Sequence, residues 1–196
     1  MWSDSIAVHP WIGKNFNNPQ NFIYKTLILG ESNFTEVEKF KYDHVINCVI
    51  NDISVDPKIE RDTLGFCRFS TKIRRIIFGR KEGIGINNFW QDVAFYNFVQ
   101  FLVGDKARIR PTNEMWVESI KAFLEVILLL QPTKVLVLGK ANWENLLRHI
   151  DHEAIDLHTV RLKVGPNQVV AGYINHPSSS LIYDEWHPIA HKLLFT

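Results

Sequence analysis

The hexapeptide KVLVLG at residues 134–139 has the form of a buried strand. Four consecutive aliphatic residues leave no polar face, which is typical of a strand covered on both sides in a parallel sheet. A second run of the same form, KTLILG, occupies residues 25–30. We therefore expect two neighbouring strands of one parallel sheet, each closed by a glycine.

Further apolar runs extend this sheet. Val93–Asn97 and Val169–Ile174 are predicted strands, whereas the pattern of Asp43–Ile50 fits either a strand or a helix. Helical periodicity separates the strands, with apolar residues recurring every three or four positions in three later segments. Strands that alternate with helices predict an α/β fold, namely a three-layer α/β/α sandwich around a mostly parallel central sheet.

Two of the predicted helices carry candidate N-caps. Thr112 precedes the helical pattern that begins near Trp116, and Asp184 precedes the one that contains Trp186. Side-chain oxygens of Thr and Asp accept hydrogen bonds from the free N–H groups of a first helical turn. A cap at Asp184 would also make Pro188 tolerable within the last helix.

Length and charge narrow the possible classes of protein. The chain has 196 residues, 46% apolar and 22% charged, which suits one domain over residues 1–196, with residues 1–24 as an N-terminal extension packed on it. The net charge is only +1. A broad electrostatic footprint on nucleic acid needs a more basic chain, so any contact with DNA is expected to be local.

The cysteines and the N-terminal segment predict the compartment. Cys48 and Cys67 match no zinc or iron–sulfur spacing, and no signal-peptide pattern is present. No apolar stretch is long enough to span a bilayer. A cytoplasmic protein with free thiols, no membrane association, no iron–sulfur cluster and no metal or other cofactor is expected.

Polar residues stand where the predicted strands end. They are Glu31, Ser32 and Asn33 after the first strand, Asn97 at the end of the middle strand, and His176, Ser178 and Ser179 after the last strand. In open α/β sheets, ligands bind beyond the carboxyl ends of the strands. A carboxylate, amides, an imidazole and hydroxyls are therefore expected to converge on one edge of the sheet.

The order of these motifs resembles the uracil-DNA glycosylase superfamily. The matching features are G-E-S at residues 30–32, an Asn that ends a middle strand, R-I-R-P-T at 108–112, K-V-L-V-L-G at 134–139 and H-P-S at 176–178. The similarity runs from about Lys25 to the C-terminus. It implies a hydrolase of DNA repair that flips uracil or another modified base out of single- or double-stranded DNA and cleaves the base–sugar bond.

The resemblance also implies roles for individual residues. Glu31 corresponds to the water-activating side chain, and Ser32 stands where an alternative pattern has an acid, a task that serine cannot perform. Asn97 corresponds to the amide that reads the base edge. His176 corresponds to the histidine that donates a hydrogen bond to the departing base.

Aromatic residues complete the implied pocket. Residues 65–70, GFCRFS, resemble the loop of the superfamily that carries the stacking Phe, with Phe69 the better match and Phe66 the spare. Phe34 falls where some members place a ring that crowds the pocket wall. Phe69 also fits an ordinary position in the hydrophobic core.

The chemistry explains why these residue types are needed. Cleaving the base–sugar bond builds positive charge on the sugar, which a carboxylate stabilises, and negative charge on the base, which a hydrogen-bond donor stabilises. A flipped base needs a flat ring and an edge-reading amide. Substrate contacts are further expected from the loop residues Ser32 and Asn33, and from Ser178 and Ser179, since hydroxyl and N–H groups hold flanking phosphates.

Other interpretations stay open. Superfamily members with this G-E loop usually continue with Pro-Gly, whereas Asn33 and Phe34 follow here. The same pocket could bind a base, nucleotide or modified DNA without cleaving it, or the chain could keep the fold alone.

Single residues also have other interpretations. Glu31 could instead cap a helix. His187 and His191, four residues apart on a predicted helix, could bind a metal, although no third ligand is evident.

Overall fold

The computed structural model describes residues 2–33, 65–79, 86–104, 109–179 and 181–196. Within these ranges the chain forms one seven-stranded sheet. Its strands are β1 Trp11–Ile12, β2 Thr26–Gly30, β3 Val93–Asn97, β4 Lys134–Leu138, β5 His152–Ala154, β6 Thr159–Val164 and β7 Asn167–Ile174. The segment Asp43–Ile50, predicted as a strand or a helix, lies outside the described residues.

The sheet is mixed, with its parallel part at the centre. The strand order is β1-β3-β2-β4-β7-β6-β5. Strands β3, β2, β4 and β7 are mutually parallel, whereas β1 pairs antiparallel with β3, and β6 pairs antiparallel with both β7 and β5. The predicted α/β fold is confirmed. The parallel character is confined to the four central strands, which are the four that the sequence predicts.

Helices cover both faces of the sheet. In the described ranges they are α1 Gly65–Phe78, α2 Ile86–Asp92, α3 Asn113–Leu130, α4 Lys140–His149 and α5 Tyr183–Phe195. One hydrophobic core contains buried residues of α3 and α4, and the other contains buried residues of α1, α2 and α5. The two cores give a helix–sheet–helix layering.

Alternation along the central strands divides the side chains between the two cores. In β2, Leu27 and Leu29 belong to the core under α3, whereas Ile28 belongs to the opposite core. In β4, Val135 and Leu136 divide in the same way. Successive strand residues point to opposite faces, so a strand without a polar side must be covered twice.

The two predicted helix caps have different outcomes. Thr112 is the N-cap of α3, and its side chain accepts a hydrogen bond from the Met115 N–H at 3.3 Å. The predicted cap at Asp184 is wrong. Helix α5 begins at Tyr183, so Asp184 lies inside the first turn, and Ile182, whose side chain cannot accept a hydrogen bond, occupies the cap position. The charge of Asp184 there still complements the helix dipole.

A buried carboxylate ties the N-terminal segment to the sheet. Asp92 is fully buried at the end of α2. Its oxygens accept hydrogen bonds from Asn15 Nδ2, the Gln20 N–H, and both the N–H and Nδ2 of Asn21, at 2.7–3.0 Å. Full hydrogen bonding is what makes burial of such a charge tolerable.

Residues 2–24 also contribute directly to the packed structure. They supply β1 and the buried side chains of Phe16 and Phe22, one in each core. None of the helices in the described ranges combines the length and the apolar character needed to span a bilayer.

Candidate functional site

The register of the central strands brings four loops together at one edge of the sheet. Gly30 lies beside Asn97 in the β2–β3 pair, and Leu138 lies beside Ile174 in the β4–β7 pair. The loops that follow these residues therefore begin side by side. They carry Glu31 and Asn33 after β2, and His176 after β7.

Glu31 is nearly buried and engaged by an arginine. Its side chain is about one-tenth exposed, and its backbone carbonyl accepts a hydrogen bond from the Val99 N–H at 2.9 Å. One Nη atom of Arg110 donates to both carboxylate oxygens, each at 2.8 Å. The Arg110 side chain is 68% exposed. The carboxylate is thus held from the solvent side by a residue that is itself accessible.

The Asn97 amide is paired with a second amide. Asn97 Nδ2 donates to Asn33 Oδ1 at 2.8 Å, and both side chains are buried. The Asn97 oxygen lies over Gly30, where an added Cβ would be only 2.0 Å away. Position 30 must therefore be glycine for the amide to occupy this place.

Two serines fix the orientation of His176. The Ser178 N–H donates to Nδ1 of His176 at 3.2 Å, and the Ser178 hydroxyl lies 2.6 Å from the same atom. The Ser179 N–H and hydroxyl both donate to the His176 carbonyl. A backbone N–H can only donate, so Nδ1 is an acceptor and the neutral ring carries its proton on Nε2.

Helix α1 supports the same turn from the side. The Phe69 ring lies 5.6 Å from the His176 ring, centre to centre, and 6.4 Å from that of Phe95. One helical turn further on, Lys72 Nζ donates to the Pro177 carbonyl at 2.7 Å. The expectation that residues 65–70 form a loop is wrong, because they are the first residues of α1.

Burial and nearby charge keep His176 neutral. Burial lowers the pKa of His176 to about 4 from its ordinary 6.5, and the positive charges of Arg110 and Lys72 act in the same direction. Both effects disfavour the imidazolium form. At neutral pH the ring is therefore an uncharged donor through Nε2.

This pKa predicts a pH dependence of stability. His176 binds a proton near pH 6.5 in the unfolded chain but only near pH 4 in the folded chain. Its contribution to the free energy of unfolding is therefore fully present above about pH 6.5 and is lost as the pH falls towards 4. Urea unfolding should show the wild type losing about 1–3 kcal/mol more than His176→Ala across this window. Parallel stability curves for the two proteins would contradict this assignment.

One buried residue of the site was missed by the sequence analysis. Asn142, in the first turn of α4, is fully buried, and its Nδ2 donates to the carbonyls of Leu29 and Gly30 at 3.1 and 2.9 Å. It fixes the end of β2 immediately before Glu31. The sequence pattern that indicates such a residue is a polar side chain in the first turn of a helix that directly follows a buried strand.

The remaining candidate residues are distributed as follows. Ser32 is half-buried between Glu31 and Asn33, and Phe34 lies outside the described residues. The rings of His187 and His191 are 5.6 Å apart on α5, and His187 Nδ1 contacts the Ile76 carbonyl. Within the described ranges, no group of three or more potential metal-ligating side chains occurs.

Comparisons with known proteins leave the site to be interpreted from its geometry. No protein-family model matches the chain, and a search of curated proteins gives no match. The fold and the site define an α/β protein in which a carboxylate, paired amides and an oriented neutral histidine share the carboxyl edge of the parallel strands.

Proposed function

We propose that the chain is a DNA base N-glycosylase that hydrolyses the base–sugar bond of uracil or another modified base. The observation that carries the proposal is the state of His176. Its Nδ1 accepts from Ser178, and its pKa of about 4 keeps the ring neutral. A neutral, fixed Nε2–H is suited to donate a hydrogen bond to an oxygen that becomes negative as the base leaves.

Glu31 suits the other half of the reaction, in which water adds to the sugar. The bond between C1′ of the sugar and the base nitrogen breaks, and its electron pair leaves with the base. Glu31 stabilises the positive charge that develops on the sugar and accepts a proton from the water that adds to C1′. The departing base anion then takes a proton from solvent, and Glu31 returns the proton that it accepted to solvent. Hydrolysis written in this way balances with water as the only co-reactant.

The Arg110–Glu31 ion pair favours a second candidate, recognition of a base without cleavage. In this ion pair both carboxylate oxygens are occupied by the guanidinium. Catalysis requires Arg110 to release them. Because Arg110 is largely exposed, a DNA phosphate can compete for it, and in that case the same arrangement remains compatible with hydrolysis.

Oligonucleotides with one deoxyuridine separate the two candidates. Single- and double-stranded substrates are incubated with the protein, and abasic sites are revealed by alkaline cleavage, with the thymidine oligonucleotide as control. Strand cleavage at the uracil position that is absent with His176→Ala supports the glycosylase. Binding without abasic sites supports the recognition protein. If the protein neither binds nor cleaves DNA with any modified base tested, both candidate functions are contradicted.

A further inference from the structure

Helix α3 carries apolar side chains on its outer flank as well as on its core face. Val117, Leu128 and Leu129 are 46–53% exposed. Ile120 and Leu124 are half-buried beside them. These five residues line one groove that runs along the helix. A contiguous exposed apolar surface on a folded protein commonly marks a place of contact.

The spacing of the groove is that of a helix–helix contact. Val117, Ile120, Leu124 and Leu128 follow one another at intervals of three and four residues, so they lie in one line on the helix surface. The core face of α3 is formed by other side chains, which are buried against the sheet. The groove is therefore an additional apolar face that the hydrophobic core does not use, and a second helix fits it.

The two charged residues of the groove have opposite signs. Lys121 is exposed, and Glu125 lies one turn further along α3. The Glu125 carboxylate accepts hydrogen bonds from the Ser3 N–H at 2.8 Å, from the Ser3 hydroxyl, and from the Ser5 hydroxyl at 3.2 Å. These hydrogen bonds, those of Ser3 above all, lower the pKa of Glu125, so the carboxylate is charged at neutral pH and held in place. The groove thus presents a cation and a fixed anion four residues apart.

We propose that the groove binds a second copy of this chain, with the two α3 helices antiparallel about a two-fold axis at the level of Phe123. In this arrangement each residue faces the residue that lies equally far beyond the axis. Lys121 then faces Glu125 of the second copy, and the same pair forms again by symmetry. Val117 faces Leu129 of the second copy, so apolar side chains meet at both ends of the contact.

The charges select the antiparallel orientation. Parallel helices about a two-fold axis would place Lys121 against Lys121 and Glu125 against Glu125, which is repulsive at both positions. Antiparallel helices also bring opposite ends of their dipoles together. This inference uses no part of the proposed function, so the failure of one leaves the other standing.

The size and the charge of the groove limit what covers it. One helix face buries less than the area of about 800 Å² per partner in a standard interface, so we expect a weak dimer with a dissociation constant above about 10 µM. Glu114 and Glu118 are exposed on the same helix. Together with Glu125 they oppose attraction to an anionic membrane surface.

Sedimentation velocity between about 10 µM and 1 mM protein tests the interface. The weight-average mass of the wild type should rise from 22.8 kDa towards twice that value. Leu128→Glu places a charge in the apolar contact and should weaken association at least about tenfold. Val117→Glu, at the other end of the contact, is the second variant for the case in which Leu128→Glu lowers the melting temperature. Leu157→Glu, at an 86% exposed leucine between β5 and β6, is the matched control and should change nothing.

Charge reversal tests the orientation. Lys121→Glu and Glu125→Lys should each weaken association about tenfold, because like charges then meet at both symmetric positions. The double variant should associate as the wild type does. In a parallel pair, each single change would replace one repulsion by another and leave association unchanged. Mixing the two single variants should also restore association, and this readout does not depend on the hydrogen bonds of Ser3 that Glu125→Lys gives up.

Three results would overturn the proposal. The first is a monomer at every concentration up to about 1 mM. The second is a dimer that Leu128→Glu, Val117→Glu and the charge reversals leave unchanged. The third is binding of the monomer to phosphatidylcholine vesicles that Leu128→Glu abolishes, without self-association, because the groove would then be a membrane contact.

Discussion

If the chain is the proposed glycosylase, His176→Ala is expected to lower the rate of base release about 100-fold or more, because it removes the neutral donor proposed to stabilise the departing base. The thermal midpoint should move by only a few degrees, since the side chain is half-buried and its hydrogen bonds lie within an exposed turn. Single-turnover rates on a deoxyuridine oligonucleotide, together with melting curves of the same preparation, measure both effects.

Two controls separate chemistry from architecture in this experiment. His176→Gln retains a side-chain donor and should recover part of the lost rate. His191→Ala removes an exposed histidine of α5 and should leave the rate unchanged. A large fall in melting temperature with undiminished activity per folded molecule would mean that His176 is only a packing residue.

Under the proposed function, Glu31→Gln is expected to reduce base release by about 100- to 1,000-fold, because an amide neither stabilises a cationic sugar nor accepts a proton from water. Stability should change by less than about 1 kcal/mol, because the partner Arg110 is largely exposed. DNA binding should tighten slightly, since one negative charge disappears beside the cation. Pre-steady-state rates and fluorescence titrations at several salt concentrations give these quantities.

Arg110→Gln tests the other residue of the same ion pair. It frees the Glu31 carboxylate but removes a cation that the proposed function places against a DNA phosphate, so affinity for DNA should weaken and its salt dependence should become shallower. The rate at saturating DNA should be retained. If Glu31→Gln is as active as the wild type, Glu31 only anchors Arg110, and the water-activating role is excluded.

Local sequence patterns predict the centre of this fold well. The aliphatic runs within residues 26–30 and 134–138 carry no alternating polar face, which favours strands that are covered on both sides. The N-cap at Thr112 is predictable in the same way, because the side-chain oxygen of a threonine can accept a hydrogen bond from the first helical turn. By contrast, β1 is two residues long and β5 is wholly exposed, so neither has a hydrophobic pattern to detect.

Of the candidate site, the sequence predicts only the positions of residues that directly follow strands. Glu31, Asn97 and His176 stand at strand ends, and parallel strands end at one edge. The Arg110–Glu31 pair joins residues 79 positions apart, and Lys72 reaches Pro177 across 105 positions. No local pattern encodes such pairs, because they depend on how the elements are packed. Phe69 lies in a helix rather than in the expected loop, because a resemblance between motifs does not fix the local backbone.

The place of β2 at the middle of the sheet has a consequence for biosynthesis. Residues 26–30 are made early, yet their neighbours are residues 93–97 on one side and 134–137 on the other. At ribosomal speeds of about 5–20 residues per second, this apolar strand waits roughly 5–20 s for its second partner. A nascent chain stalled before residue 134 would present an unprotected strand edge, so chaperone capture or aggregation should be concentrated in that interval.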